Sequence, residues 1–245
     1  MGVTRLHVGH CAAAGQSVPL SSDQAHYLGR VMRLAPGAEV ECFDGRHGAW
    51  RARIVDLGRR GGALEAVERT APQRDPPDLW LLFAPIKKAR TDFVVEKAAE
   101  LGVRRIQPVA TDHTNSERVR LDRLQAHAVE AAEQCGGTFV PTVEPLRPLD
   151  AVLDAWPEGR ALVFADEALS DDPLWREDGA VPAAMPAAPA AVLVGPEGGF
   201  SAAERLRIRR HPGAAPVTLG PRILRADTAA VVAVALWQAA RGDWR

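Results

Sequence analysis

Two glycine–proline turns near the end of the chain constrain its fold more than any other feature. The first lies in residues 192–200 (VLVGPEGGF), and the second in residues 219–228 (LGPRILRADT). Each turn follows a short apolar run typical of a buried strand and leads into a helical pattern. Glycines let the backbone of such turns approach a ligand closely. Two of these units in succession predict one pocket that both turns share.

The chain from residue 79 to residue 240 alternates between strand and helix patterns. Strands are predicted at 79–84, 105–110, 161–165, 191–194 and 216–219, and helices at 91–101, 121–134, 201–211 and 228–240. Ser201 and Glu204 have the spacing of a capping box at the start of one helix. Repeated strand–helix units predict an α/β fold with a mostly parallel sheet that helices cover on both faces.

The first 70 residues follow a different pattern. A helix is predicted at 21–34, where Ser21 and Gln24 have capping-box spacing, and short alternating strands at 38–43, 49–55 and 63–67. This order is typical of a small barrel or a curled antiparallel sheet. The polar, proline-rich residues 71–78 form the best boundary in the chain, so we predict domains at 1–72 and 73–245.

Charge and cysteine content narrow the possible classes of protein. The net charge of -1 does not by itself indicate nucleic-acid binding, although local basic patches can still bind phosphates. The 3 cysteines lie far apart and match neither a metal site nor a disulfide framework. No apolar run is long enough to cross a membrane, and the first residues lack the apolar core of a signal peptide. We therefore expect a cytoplasmic protein without a bound metal.

The chemistry-bearing residues lie mainly on the second turn. Arg222 and Arg225 bracket an apolar pair, and Asp227 begins the last helix. Asp227 is either a helix cap, because aspartate is favoured at that position, or a contact to a ligand. The first turn lacks the Gly-Lys-Ser/Thr ending of a phosphate loop and does not match a dinucleotide fingerprint.

The two turns, taken with motifs elsewhere in the chain, resemble the RsmE family of ribosomal RNA methyltransferases, which belongs to the SPOUT class. The supporting motifs are residues 26–34, 43–45, 87–88, 96–103 and 133–136. The resemblance covers nearly the whole chain, and the ordered set is highly specific. It implies a SPOUT methyltransferase domain with a C-terminal trefoil knot, preceded by a PUA-like RNA-binding β-barrel domain.

The resemblance also implies an activity. The family transfers a methyl group from S-adenosylmethionine to N3 of a uridine in 16S rRNA of the small ribosomal subunit, which leaves S-adenosylhomocysteine. SPOUT enzymes are typically homodimers with the site at the interface. Carried over by motif, the cofactor pocket comprises Val194, Gly195, Gly198, Gly199, Leu219, Gly220, Ile223, Leu224 and Arg225.

Four residues are candidates for the chemical step. Removing the N3 proton of uridine leaves negative charge on the base, which an arginine can stabilise. Arg225 or Arg222 is the candidate for this role, and Asp227 or Glu197 is the candidate base or base-orienting group.

Basic residues in two places are candidates for RNA contacts. Lys87, Lys88 and Arg90 follow the first strand of the second domain, and Arg51 and Arg53 alternate onto one face of a strand in the first. Such side chains can track phosphates, although a solvated face is the alternative interpretation for each.

The chain departs from the family pattern at three places that concern the site. Residues 112–117 differ from the commoner version, which contains arginine and serine, but still offer polar groups for a loop near the cofactor. Asp227 stands where the family often has glutamate, which shortens the side chain by one methylene. Gly137 stands where the family usually has an arginine, and the candidate replacements are Arg118, Arg120 and Arg123.

Three other functions remain as alternatives. The first is a SPOUT methyltransferase that acts on tRNA or on a ribose hydroxyl, and the second is a non-catalytic RNA-binding assembly protein. The third, a nucleotide-binding α/β enzyme, is disfavoured by the missing phosphate motifs.

Overall fold

The computed structural model describes residues 3–114, 119–171 and 185–244. The chain forms two compact units, one of Met1–Asp75 with Ala132–Val140 and one of Pro76–Ala131 with Pro141–Arg245. Residues 132–140 thus group with the first unit, although they lie far beyond the predicted domain boundary at 72/73. A single boundary along the chain does not describe this grouping. Within the described ranges, no helix is long and apolar enough to cross a membrane.

The first unit contains a five-stranded sheet and one short helix. The strands are β1 (Arg5–His7), β2 (Ser17–Leu20), β3 (Glu39–Phe43), β4 (Ala49–Gly58) and β5 (Gly61–Ala71), in the order β1-β3-β4-β5-β2. β1 is parallel to β3, and the other pairs are antiparallel. Helix α1 (Ser22–His26) continues as a π-helical turn (Tyr27–Val31). The predicted capping box of Ser21 and Gln24 is confirmed.

The second unit contains a parallel sheet with helices. Its strands are β6 (Leu79–Phe83), β7 (Arg105–Ala110), β8 (Thr142–Val143), β9 (Arg147–Pro148), β10 (Ala161–Ala165), β11 (Ala190–Val194) and β12 (Ala214–Val217). Its helices are α2 (Lys88–Glu100), α3 (Leu121–Cys135), α4 (Leu149–Asp154), α5 (Ala202–Arg209) and α6 (Ala226–Arg241). The last four residues of α3 group with the first unit. The strand order is β12-β10-β11-β6-β7-β8, and β9 pairs with β7.

The prediction of a mostly parallel sheet is confirmed, because every strand pair in the second unit is parallel. The sequence patterns did not indicate β1, β2, β8, β9 or α4. These elements have two to six residues each, which is too short for a clear period of either type. The C-terminal trefoil knot stays a prediction.

The sheet topology places the two glycine–proline turns at the same edge of the sheet, one on each side of β10. β10 lies between β12 and β11, and all three strands run in the same direction. The segments that follow them therefore leave the same edge of the sheet, where ligands bind in open α/β folds. All residues of β11 are buried, so this edge rests on the apolar core of the unit.

Candidate active site

A pocket opens at the carboxyl ends of β10, β11 and β12, as the two turns predicted. Its empty volume, which includes space open to solvent, is about 460 Å³. Six of the predicted cofactor residues line it: Val194, Gly195, Leu219, Gly220, Ile223 and Leu224. Arg222 also lines the pocket, whereas Gly198, Gly199 and Arg225 are not among its lining residues.

The first turn requires glycine at its start. A Cβ atom on Gly195 would lie 2.7 Å from Cε2 of Phe200. The Phe200 ring is 4% exposed and packs edge-to-face on Phe164, with the ring centroids 5.2 Å apart. Because the ring is buried against Phe164, a side chain at residue 195 would force the ring or the turn to shift. Gly199 has a φ of +68°, a left-handed conformation that suits glycine.

The loop after β7 contacts the first turn through hydrogen bonds. Nδ1 of His113 lies 3.1 Å from the carbonyl oxygen of Gly198 and 3.2 Å from that of Gly199. The imidazole therefore donates to the turn, with its proton on Nδ1. In the same loop, the amide of Asp112 donates to Glu204 at 2.8 Å. Gly198 and Gly199 thus shape the turn from outside the pocket lining.

The second turn is closed by a threonine. Oγ1 of Thr218 donates to the carbonyl of Gly220 at 3.1 Å and accepts from its amide at 3.3 Å. Gly220 has a φ of +111°, which disfavours other residues. Ile223, further along the turn, is 72% exposed. Leu219 and Leu224 thus line the pocket with apolar side chains, whereas Ile223 faces solvent. We call this solvent-exposed part of the second turn, residues 222–223, the rim.

Asp227 is engaged in an ion pair that the sequence did not indicate. Its Oδ2 accepts from Nη1 of Arg90 at 2.7 Å, and its Oδ1 accepts from the amide of Thr228 at 3.0 Å. Arg225, at the N-cap of α6, is exposed and makes no side-chain capping bond. Arg222 and Glu197 are exposed as well. This geometry favours an orienting role for Asp227, and all four catalytic assignments stay predictions.

Two acidic residues of the pocket were missed from the sequence. Asp166 and Glu167 follow β10 and line the pocket. The Asp166 carboxylate is fully buried and pairs with Arg205 at 3.2 Å and with Arg209 at 2.5 Å. Glu167 is partly exposed and forms an ion pair with Arg205. A pair of carboxylates directly after a predicted buried strand was the signal that could have found them.

The predicted RNA-binding residues differ in how far they are neutralised. Lys87 and Lys88 are exposed at the start of α2, whereas Arg90 is paired with Asp227. Arg51 pairs with Glu68 at 3.0 Å. Arg53 is exposed and lies in register with Glu39 and Glu65 on the adjacent strands. Within the described part of the chain, Lys87 and Lys88 are therefore less neutralised than Arg51 or Arg90, and RNA binding by all five residues stays a prediction.

The candidate replacements for the family arginine are paired where the structure describes them. Arg120 pairs with Asp122 at 2.6 Å, and Arg123 forms an ion pair with Asp92. Arg118 lies outside the described residues. Lys88, Arg120 and Arg123 share a second cleft, with an empty volume of about 680 Å³. Of these three, Lys88 is the one that forms no ion pair with a residue that the structure describes.

Comparison with known proteins identifies the type of both domains. Residues 73–238 match the model of an RNA methyltransferase domain, and residues 20–65 match that of an RNA methyltransferase PUA domain. The first of these matches covers more than half of the chain.

Relatives and solved structures match this chain along most of its length. Ribosomal RNA small subunit methyltransferase E of Synechocystis is 33% identical over 89% of this chain and 72% of its own length. The crystal structure of ribosomal RNA small subunit methyltransferase E from Neisseria gonorrhoeae, bound to S-adenosyl methionine, is 30% identical with a TM-score of 0.85 over 100% of both chains. A putative methyltransferase of Legionella pneumophila, solved with the same cofactor, is 27% identical with a TM-score of 0.84 over 99% of this chain and 100% of its own. The chain therefore belongs to the family of ribosomal RNA small subunit methyltransferase E.

Proposed function

We propose that the protein transfers a methyl group from S-adenosylmethionine to N3 of a uridine in 16S rRNA and releases S-adenosylhomocysteine. The observation that carries this proposal is the pocket at the ends of β10, β11 and β12, which both glycine–proline turns line. Its place in the fold is where a ligand of an α/β sheet binds. Family membership and the cofactor bound to two similar proteins support the same reading.

The residues of the pocket fit this cofactor. Val194, Leu219 and Leu224 offer an apolar wall for the adenine ring, and the backbone of Gly195 offers polar atoms at close range. Glu167 adds a partly exposed carboxylate, which can accept hydrogen bonds from ribose hydroxyls or pair with the amino group. When bound, the cofactor supplies a methyl group that its sulfonium has already activated.

The protein side chains must then position the base and manage one proton. Arg222 and Arg225 are exposed on the rim and at the helix start, where their guanidinium groups can stabilise the charge that develops on the uracil oxygens. Glu197 is exposed on the first turn and is our candidate acceptor for the N3 proton. Asp227 holds Arg90, so we assign it a positioning role.

The partners follow from the same proposal. Lys87 and Lys88, at the start of α2, contact phosphates of the RNA. The rRNA substrate lies within the small ribosomal subunit, and methylation takes place in the cytoplasm. The exposed rim around Ile223 is covered by a second copy of the chain in a homodimer.

Nucleoside mass spectrometry of small-subunit rRNA tests this function. A strain that lacks the protein should lose 3-methyluridine, the wild-type gene should restore it, and Arg225→Ala should not. Undiminished 3-methyluridine in the deletion strain would refute the substrate assignment. Calorimetry with S-adenosylmethionine separates the enzyme from a non-catalytic assembly protein, because only the enzyme requires cofactor binding.

A further inference from the structure

The first unit brings together three metal-ligating side chains that play no part in the proposed methyl transfer. His10 lies in the loop after β1, and Asp44 and His47 lie in the turn between β3 and β4. Each offers one ligand atom, and these atoms all lie within 4.8 Å of one another. No spacing rule predicts this cluster, because His10 comes from a different loop than Asp44 and His47.

The carboxylate at the centre of the cluster is held in place by the backbone. The side chain of Asp44 is 1% exposed. Its Oδ2 accepts from the amide of Cys11 at 3.0 Å, and its Oδ1 accepts from the amides of Arg46 at 3.0 Å and His47 at 2.8 Å. The position of this ligand is therefore set before any ion binds, which lowers the cost of forming a site.

Both imidazoles direct the same ring nitrogen at that carboxylate. Nδ1 of His47 lies 2.6 Å from Asp44 Oδ2, and Nδ1 of His10 lies 3.5 Å from the same oxygen. The contact of His47 is a hydrogen bond, but that of His10 is too long for a good one. Two ligands on one tetrahedral ion, with bonds of about 2.0–2.1 Å, lie roughly 3.3 Å apart, so the position of His10 suits a shared ion.

The outer side of the cluster is open to water. The side chains of His10 and His47 are 60% and 39% exposed, and their rings meet edge-to-face with centroids 5.0 Å apart. An ion held by these three ligands would keep at least one position for water, as open three-ligand sites do. Two imidazoles and one carboxylate are donors that suit Zn²⁺ better than Mg²⁺ or Ca²⁺.

We propose that His10, Asp44 and His47 bind one divalent transition-metal ion of the zinc type. On binding, the ion takes the place of the proton on Nδ1 of His47. That proton leaves to solvent while the exposed Nε2 carries a proton, so the ring binds as a neutral imidazole, and it moves outward by roughly 0.7 Å, from 2.6 Å to the ligand–ligand spacing of about 3.3 Å. The bound ion ties the loop after β1 to the β3–β4 turn and so stabilises the first unit. This role is independent of methyl transfer.

Zinc titration of the full-length protein tests the proposal. The parent protein carries Cys135→Ser, because Cys135 is an exposed thiol and a competing ligand. Competition with a chromophoric chelator should show one zinc site. His10→Ala and His47→Ala should each weaken it by about tenfold or more, since even outer-shell changes have effects of that size. His26→Ala removes an exposed histidine of the same unit and should leave the affinity unchanged.

Two further readouts separate ligation from misfolding. Zinc should raise the thermal unfolding midpoint of the parent and of His26→Ala, but not of His10→Ala or His47→Ala, while all four keep the same circular dichroism spectrum. Co²⁺ should give the visible bands of a nitrogen–oxygen site without a thiolate charge-transfer band. No zinc binding by the parent, or equal binding by the parent and both cluster variants, would overturn the proposal.

Discussion

The ion pair between Arg90 and Asp227 joins α2 to the first turn of α6, next to the candidate active site. The nitrogen–oxygen distance is 2.7 Å, and the two side chains are 32% and 15% exposed. Exposed ion pairs contribute about 0.2–1 kcal/mol, and hydrogen bonds to charged groups contribute about 1.5–3 kcal/mol. Because this pair is partly buried, we expect a coupling free energy of about 1 kcal/mol in a double-mutant cycle.

The two single variants should differ in a defined direction. Asp227 also lies in the first turn of α6, where a negative charge interacts favourably with the helix dipole by about 0.3–1 kcal/mol. Arg90→Ala keeps that interaction, and Asp227→Ala loses it. The free energy of unfolding should therefore fall further in Asp227→Ala, and the double variant should lose less than the sum of the two.

Urea unfolding and methylation kinetics together test both the pair and the role of Asp227. If Asp227 acts by holding Arg90, both single variants and the double variant should lower kcat by the same factor. If Asp227 is the base, Asp227→Ala should be slower than Arg90→Ala by about 10²-fold or more. Glu100→Ala is the matched control, because it removes the pair with Lys97 on the same helix, with an N–O distance of 2.5 Å. Additive losses of stability, or a kcat lowered by only one of the single variants, would refute the positioning role.

Four other predictions follow from the site and the fold. Gly195→Ala should lower the free energy of unfolding by about 1–3 kcal/mol and weaken cofactor binding, because its Cβ would lie 2.7 Å from Phe200. Urea unfolding and calorimetry measure the two effects, and Gly9→Ala is the neutral control, since nothing lies within 4 Å of its Cβ. Alkylation of the native protein should modify Cys135 alone, because Cys11 and Cys42 are buried. The hydrogen bond to Cys11, together with burial, also raises the pKa of the Cys42 thiol. Labelling of Cys42 in the native protein, seen by peptide mass spectrometry, would contradict this prediction. Burial and the charge of Arg207 lower the pKa of His211 below 6.5, so the folded state favours the neutral ring. The free energy of unfolding should therefore fall as the pH drops through and below 6.5, and His211→Gln should flatten that slope. A pKa of His211 at or above 6.5 in an NMR titration of the folded protein would rule the effect out. Replacing Lys87 and Lys88 with alanine should reduce the slope of log affinity for rRNA against log salt by about 0.7–0.9 for each lost phosphate contact, and an unchanged slope would show that neither lysine contacts a phosphate.

Features that depend on neighbouring residues were predicted well. Both capping boxes form as the spacing of Ser21 with Gln24 and of Ser201 with Glu204 required. The strand at 161–165 has the predicted bounds. The glycines at 199 and 220 adopt positive φ angles in the predicted turns. Each of these outcomes is set by hydrogen bonds or steric limits within a few residues, so local patterns are sufficient to reveal it.

Features that depend on residues far apart in the chain were not predicted from the sequence. Arg90 meets Asp227 across 137 positions of the chain, and His113 meets Gly198 across 85. Asp166 and Glu167 enter the pocket only because β10 lies between β11 and β12 in the sheet. The sequence by itself determined most of the longer strands and helices, the two turns and the family, but not the five short elements β1, β2, β8, β9 and α4. The tertiary structure alone decided which charges are neutralised and which remain free, because strand order brings residues together regardless of their separation along the chain.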